Sequence, residues 1–265
     1  MIEAAPVPVV TFLSDYGSCD EFVGTCHGVI ARRCPRARII DIAHGIALGD
    51  VLGGALALGA ALPHMPAGVH LAVVDPGVGG PRRAVAVAAA REGHVIVAPD
   101  NGLAAAAAQA LGGAAAAWEI SGSAEARPSG AATFAGRDLF APVAAAIADG
   151  VAPAKLGEAL AVAELVALET PAARRDGELL LVPVLAVDGF GNIELAAFAL
   201  AGAALTIELD GRTREIAIGR RFGDVPPGEL VAYVDSRGAP AIARNGGSAA
   251  ALLGLRAGAV LRVRA

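Results

Sequence analysis

Four apolar runs in the first hundred residues each end on a polar residue. They are VPVVTFLS before Asp15, ARIIDIA before His44, VHLAVV before Asp75 and HVIVAP before Asp100-Asn101. Short β-branched runs bounded by Gly, Pro or Asp read as strands. Between them lie helical patterns. One runs from about Asp20 to Arg33 with Phe22, Val23, Val29 and Ile30 on an apolar face, and another from Asp50 to Ala61, ahead of a break at Pro63. AVAVAAA, residues 84–90, adds a strand joined by a short turn to HVIVAP. Strands alternating with helices predict an α/β domain with a largely parallel central sheet. Ligands of open α/β sheets bind at the carboxyl ends of strands. The polar strand ends therefore predict one acidic, ligand-sized site.

The pattern changes along the chain. Residues 149–175 carry helical and turn signals. From Leu179 onward ELLLVPVLAVD, ALTIELDG, REIAIG, LVAYVDS and AVLRVRA are short apolar runs punctuated by Gly and Asp, with no long helix between them. This predicts a smaller antiparallel β-barrel domain. We place the N-terminal α/β domain at residues 1–165 and the C-terminal β-barrel domain at 166–265.

Hydrophobic residues make up 55% of the chain, but much of this is alanine, in runs such as Ala104 to Ala108 and Ala114 to Ala117. Alanine favours helix and buries little area, so the figure does not imply a membrane protein. Gly, Pro, His or charge interrupts every stretch long enough to span a bilayer. The N-terminus MIEAAPVPVV lacks the basic region and long apolar core of a signal peptide, which makes a cytoplasmic address the expectation. A net charge of −5 disfavours nucleic acid as the main partner. Cys19, Cys26 and Cys34 are odd in number and form no CxxC, which argues for free thiols and against a zinc site.

Several Gly-rich segments follow strand ends. In SDYGSCDEF, Asp15 and Asp20 flank a turn; each acid alone reads equally as turn chemistry or as a cap for the next helix. In VVDPGVGGPRR, seven residues separate Asp75 from Arg82, so the loop can bring the guanidinium back to the carboxylate. A surface ion pair would show the same spacing. The segments APDNGL, TFAGRDLFAP, VDGFGN and SRGAPAIARNGG each read, singly, as an ordinary turn.

Taken in order, SDYGS, IIDIAHGI, VVDPGVG with its RR, APDNGL, TFAGRDLFAP, VDGFGN and SRG with IARNGG resemble the motif series of the S-adenosylmethionine hydrolases. These enzymes are also called hydroxide adenosyltransferases and are homologous to the fluorinase and chlorinase. The resemblance runs from about Val9 to the C-terminus. It implies an N-terminal α/β domain, a C-terminal β-barrel, and a homotrimer whose sites lie between subunits. Its substrate is S-adenosylmethionine and its products are adenosine and L-methionine. It implies no cofactor and no metal.

Residue by residue, the resemblance gives roles. Asp15 corresponds to the acid at the ribose hydroxyls, with Asp20 near the amino-acid end and Asn101 in the substrate-binding set. Asp188 and Asn192 correspond to the pair at the methionine amine, and Ser236, with Arg237 beside it, to the methionine carboxylate contact. Arg244, Asn245 and Gly246 form the adenine segment, and Phe222 is the aromatic beside the base. Asp75 and Arg82 correspond to two members of an Asp-Arg-His set around the nucleophilic water. The third member is the histidine of TFHGRD, and this chain carries Ala135 there. Ala135 is either an introduced truncation or natural divergence. Either way it implies reduced hydrolysis. His44, at a strand end, reads as a structural histidine.

Two other functions remain open. A chlorinase-like halogenase would place a halide where Asp75 stands. The resemblance speaks against it, because halogenases carry Tyr or Thr at that position and a carboxylate repels halide in a pocket of low dielectric. Val78 replaces the fluorinase's halide-binding threonine, Gly49 replaces the halogenases' tryptophan, and the fluorinase's insertion between its fourth and fifth strands is absent. The other alternative is a non-catalytic S-adenosylmethionine or adenosine binder, which Ala135 makes credible.

Overall fold

The computed structural model describes residues 7–127, 133–209 and 211–264. The extreme N-terminus, on which part of the signal-peptide reading rests, lies outside them. Two compact units divide the chain, Met1–Glu169 and Thr170–Ala265.

The first unit holds strands β1 (Val9–Ser14), β2 (Arg38–Ala43), β3 (Gly68–Val73), β4 (Ala84–Ala89), β5 (His94–Pro99), β6 (Ala114–Glu119) and β7 (Glu158–Leu160). They form one seven-stranded sheet in the order β2-β1-β3-β5-β4-β6-β7. The β2-β1, β1-β3 and β3-β5 pairings are parallel, and β4, β6 and β7 extend the sheet antiparallel. The antiparallel half follows from local sequence: only residues 90–93 separate β4 from β5, too few for a parallel crossover.

Helices α1 (Phe22–Arg33), α2 (Val51–Ala61), α3 (Leu103–Gln109) and α4 (Ala141–Ala148) cover the sheet. Side chains alternate across a strand. Val10 and Phe12 accordingly pack in one core with Cys26, Ile30 and Phe140, while Leu13 packs in another with Leu58, Ala104 and Ala107. Burial pushes the Cys26 thiol up to about 12, so it stays a protonated apolar group.

Some elements depart from the sequence reading. The α1 helix starts at Phe22, and its N-cap is Glu21 with no side-chain cap bond, so Asp20 does not cap it. Asp50 does cap α2, accepting from the Gly53 amide at 2.8 Å. The two alanine runs part company. Residues 104–108 are helical, but 114–117 form β6, because Gly112 and Gly113 (φ +90° and +103°) turn the chain and β4 offers an open edge. Tertiary pairing outweighs alanine's helix propensity here. In residues 149–175 the helical and turn signals become short 3₁₀ turns, but the sequence reading did not include the strand β7 between them. Among the described residues, no helix is long and apolar enough to cross a membrane.

The second unit is built from β8 (Arg174–Asp176), β9 (Leu179–Val187), β10 (Ile193–Leu195), β11 (Ala204–Leu209), β12 (Arg212–Ile218), β13 (Leu230–Val234), β14 (Pro240–Arg244) and β15 (Val260–Arg264), with one short helix, α5 (Ala249–Leu253). Strands run in the order β10-β14-β13-β12-β11-β15-β9, and a β10–β9 pairing closes the ring. This is the expected β-barrel, antiparallel except where β12 meets β13. Val182, Val184, Ile193, Ile207, Ile242 and Leu261 are buried, as inward positions of a closed barrel must be.

Candidate active site

From β1 the chain goes outward to β2, and the next strand, β3, returns to β1's other side. The order therefore reverses between β1 and β3, and a crevice opens at the carboxyl ends of strands at such a switch point. Asp15 follows β1 and Asp75 lies just beyond β3. Both line one cavity of about 260 Å³, together with Tyr16, Phe22, Leu48, Val78 and the segment Thr133–Gly136.

Asp75 on this lining is held by Arg82, which is itself not among the lining residues. Arg82 Nε donates to both carboxylate oxygens, at 2.9 and 3.1 Å, and Nη2 donates to Oδ2. The Arg82 guanidinium also sits over the Phe140 ring, 5.2 Å from its centroid. The seven-residue loop thus folds back as its spacing suggests, and the Asp75 side chain is only 6% exposed. Asp15 is held differently. Its Oδ2 accepts from the Gly49 amide at 2.8 Å, and among the described residues Oδ1 has no hydrogen-bond donor. Gly49 has φ +72°, and a Cβ there would meet Pro76 at 3.3 Å.

Tyr16 is the site residue that the motif reading left without a role. Its ring is wedged edge-on against Phe134 and Phe12, with Phe22 tilted beside it. A Cβ at Gly136 would lie 2.1 Å from the Tyr16 hydroxyl oxygen, so glycine is required where the TFAGRD segment passes. Burial, reinforced by Cys26, Asp15 and Asp75 and opposed by Arg82, raises the phenol above its usual range. The hydroxyl therefore stays neutral, and among the described residues it has no hydrogen-bond partner. Its adjacency to Asp15 was the available signal. Ala135 starts a π-helical turn, Gly136–Phe140, that leads into α4. Such turns interrupt helices frequently at functional sites.

Other expected residues lie elsewhere in this unit. Asp20 is exposed and does not line the cavity. Asn101 spends its amide on the Val74 carbonyl (2.9 Å) and the Leu103 amide (3.2 Å), tying the loop after β5 to the end of β3. Asp100 is buried and committed to Arg83 (2.9 Å) and to the Val166 amide (2.9 Å). It is a structural acid, so the acidic site at the strand ends is narrower than the sequence suggested. His44 meets Ser14 Oγ through Nδ1 at 2.8 Å and stays outside the cavity lining.

In the second unit the expected residues sit on turns at strand ends. Asp188 Oδ1 accepts from the Phe190 and Asn192 amides, both at 2.9 Å, and Oδ2 from Asn192 Nδ2 at 2.8 Å. This turn abuts the start of α5, where Ala250 N donates to the Gly191 carbonyl at 3.0 Å. Ser236 is exposed on the β13–β14 turn. Beside it, Arg237 Nη2 donates to Glu194, and Arg237 N to Asp235 at 2.8 Å. Burial raises the Glu194 carboxyl, against the pull of Arg237. Arg244 Nε donates to the Gly228 carbonyl at 2.9 Å and Asn245 Nδ2 to Val225 at 2.8 Å, which leaves Gly246 (φ +75°) at the tip. Phe222 is 46% exposed and lies edge-on to Tyr233.

Similarities to known proteins bear on this arrangement. The family model for the SAM hydroxide adenosyltransferase N-terminal domain matches residues 10–157, and that for the C-terminal domain matches 182–262. The (R)-S-adenosyl-L-methionine hydrolase of Salinispora tropica is 48% identical over 98% of this chain and 99% of its own. The fluorinase of Nocardia brasiliensis is 31% identical over 97% of both chains. A crystal structure of an uncharacterized conserved protein from Thermotoga maritima superposes with a TM-score of 0.83 at 31% identity, covering 97% of this chain and 100% of that one.

Proposed function

The chain belongs to the SAM hydroxide adenosyltransferase family, and from that premise we propose that it hydrolyses S-adenosyl-L-methionine to adenosine and L-methionine. The observation that carries the reading is Asp75, which lines a cavity at the sheet's switch point and is clamped by Arg82.

The chemistry suits that pair. The sulfonium makes C5′ electrophilic and leaves as a neutral thioether. A water oxygen bonds to C5′ as the C5′–S bond breaks and its electron pair returns to sulfur. The water's proton passes to Asp75 and from there to solvent. The protein must align one water in line and exclude the rest. Asp75, immobilised by Arg82, supplies a directed acceptor, and the guanidinium stabilises the anionic character that develops on the water. A neutral Tyr16 hydroxyl on the same wall offers a second contact to that water. Because the leaving group is neutral, the step needs no metal and no cofactor.

Recognition follows the family roles. The free Oδ1 of Asp15 accepts from the ribose hydroxyls. Asn101 supports that wall through the loop it ties down, and Asp20 lies toward the amino-acid end. Asp188, Asn192, Ser236 and Arg237 hold the methionine end; Phe222, Arg244, Asn245 and Gly246 hold adenine. The proposal includes a homotrimer in which a neighbouring copy supplies these second-unit residues, and a cytoplasmic address. Phe22, Leu48 and Val78 support the trimer, being apolar residues that line the cavity yet stay 37%, 92% and 41% exposed in the single chain.

Halogenation is the weaker reading. A carboxylate occupies the cavity wall, Val78 offers no hydroxyl, and β4 and β5 are joined by a short hairpin. The test is product analysis at saturating substrate with and without chloride. Equimolar adenosine and methionine, independent of chloride, are expected. A 5′-chlorinated nucleoside would overturn hydrolysis in favour of halogenation, and tight binding without any product would establish a binding protein.

A further inference from the structure

Beside the cavity, three side chains distant in sequence converge on the outer edge of the first unit's sheet. His27 comes from α1, Asp41 from the edge strand β2, and His44 from just beyond β2. His27 Nε2 lies 2.9 Å from Asp41 Oδ1, and His44 Nε2 lies 3.1 Å from the same oxygen. All three donor atoms fall within 4.8 Å of one another.

The His44 geometry separates this group from a plain hydrogen-bonded cluster. Its Nδ1 faces Ser14 Oγ at 2.8 Å. Its Nε2 is buried and, among the described residues, has no hydrogen-bond partner, since the nearby Asp41 oxygen lies off the direction an N–H would need. A buried imidazole nitrogen without a partner is costly. A tautomer protonated at Nδ1 donates to Ser14 and leaves an unprotonated Nε2 lone pair within 4.8 Å of the His27 and Asp41 ligand atoms. An oxygen partner on the far nitrogen is the usual support of a metal-bound histidine.

We propose that His27 Nε2, His44 Nε2 and Asp41 bind one divalent transition-metal ion, with Zn²⁺ as the occupant and water completing the coordination. Two imidazoles and one carboxylate suit zinc, cobalt or nickel and are poor for magnesium or calcium, which prefer all-oxygen sets. Zinc–ligand bonds of about 2.0–2.1 Å in a tetrahedron set ligand atoms about 3.4 Å apart, so each imidazole nitrogen needs to draw back from the Asp41 oxygen by only a few tenths of an ångström. Asp41, 42% exposed, leaves an entry path from solvent. The ion would cross-link α1 to β2. It would also brace the loop after β1, because Gly17 N donates to the His44 carbonyl at 2.7 Å and Tyr16 N to Ser14 Oγ at 3.3 Å. None of its three ligands lines the cavity, so it serves stability and not the reacting atoms.

The experiment uses tag-free, full-length protein stripped with chelator, then titrated with Zn²⁺ by calorimetry and with Co²⁺ by visible absorption. One ion per chain is expected, with a Co²⁺ spectrum of four- or five-fold coordination and a rise in Tm on Zn²⁺ addition. His27→Gln should weaken binding at least 10-fold while the apo protein stays folded, because His27 is a third exposed; His44→Gln should do the same. Cys19→Ser controls for the exposed thiol and should leave binding unchanged. No saturable binding, unaltered binding in His27→Gln, or loss of binding in Cys19→Ser would each overturn the site.

Discussion

The buried histidine pair in the first sheet makes folding sensitive to acid by an amount that can be worked out. His70 on β3 is fully buried, and His94 on β5 nearly so. Thr11 Oγ1 meets His70 Nδ1 at 2.9 Å, His70 Nε2 meets His94 Nδ1 at 2.8 Å, and the rings stack 5.1 Å apart. With both rings neutral, one proton between Nε2 and Nδ1 and the Thr11 hydroxyl satisfy His70 completely. Burial, with a smaller contribution from His94, lowers His70 from 6.5 to about 4. Burial, helped by Arg91, also lowers His94. Between pH 6.5 and about 4 the unfolded chain therefore binds a proton that the folded chain refuses. Stability is fully present above pH 6.5 and falls as the pH drops toward 4. At 1.36 kcal/mol per unit the His70 loss is about 3 kcal/mol in full and about 2 kcal/mol at pH 5. His70→Gln removes the titration and keeps polar atoms for Thr11 and His94. Urea unfolding at pH 7.5 and 5.0, followed by the single tryptophan, Trp118, in β6 of the same sheet, reports this unit. The wild type should lose about 2 kcal/mol more than His70→Gln on acidification, since the other carboxylates and histidines are common to both and only His94, bonded to His70, couples to the change. Equal losses would refute the assignment.

The cavity and the assembly give further expectations. Ala135→His should raise single-turnover release of adenosine by about 10²-fold by adding a general acid–base group at the water, with adenosine affinity little changed; equal rates would mean that the existing wall suffices. Tyr16→Phe, which removes the unpartnered hydroxyl, should lower kcat by about 10-fold in the chain as it stands and much less in the Ala135→His background; a fall in affinity with kcat intact would make Tyr16 a packing residue only. Light scattering should find a trimer, and a stable monomer that binds and turns over substrate would rule it out.

Much of the fold was written in local sequence. The alternation of strands with helices announced an α/β sheet, the polar strand ends a site beside it, and the seven-residue spacing allowed the Asp75–Arg82 contact that the loop makes. What local pattern could not supply was competition between partners. Asp100 and Asp75 look alike as acids ending strands, yet Asp100 is taken up by Arg83 and the Val166 amide and leaves the site. Ala114–Ala117 and Ala104–Ala108 look alike as helix formers, yet an open sheet edge claims the first run. The His27–Asp41–His44 group was invisible for the same reason. No recognisable ligand spacing links α1 to β2, and only the packing of that helix beside the edge strand brings the three together.

The two acids at the switch point show how a backbone assigns roles that residue type leaves open. Asp15 and Asp75 both leave parallel strands at the same end of the sheet, and both line one cavity. Asp15 gives one oxygen to a backbone amide and, among the described residues, keeps the other free, which suits the proposed role of accepting from a neutral diol. Asp75 has both oxygens held by one guanidinium, so its remaining lone pairs point in directions set by Arg82, and Arg82 in turn is fixed by Phe140. A free oxygen adapts to a ligand, whereas a clamped one aims at a point. In-line attack by a single water needs the second kind, since misalignment by about 1 Å costs on the order of 10² in rate. The clamped acid is therefore the one to assign to the nucleophile. By the same reasoning Ala135, which lines the same cavity at the place of the family histidine, is the position where a restored side chain should change turnover most.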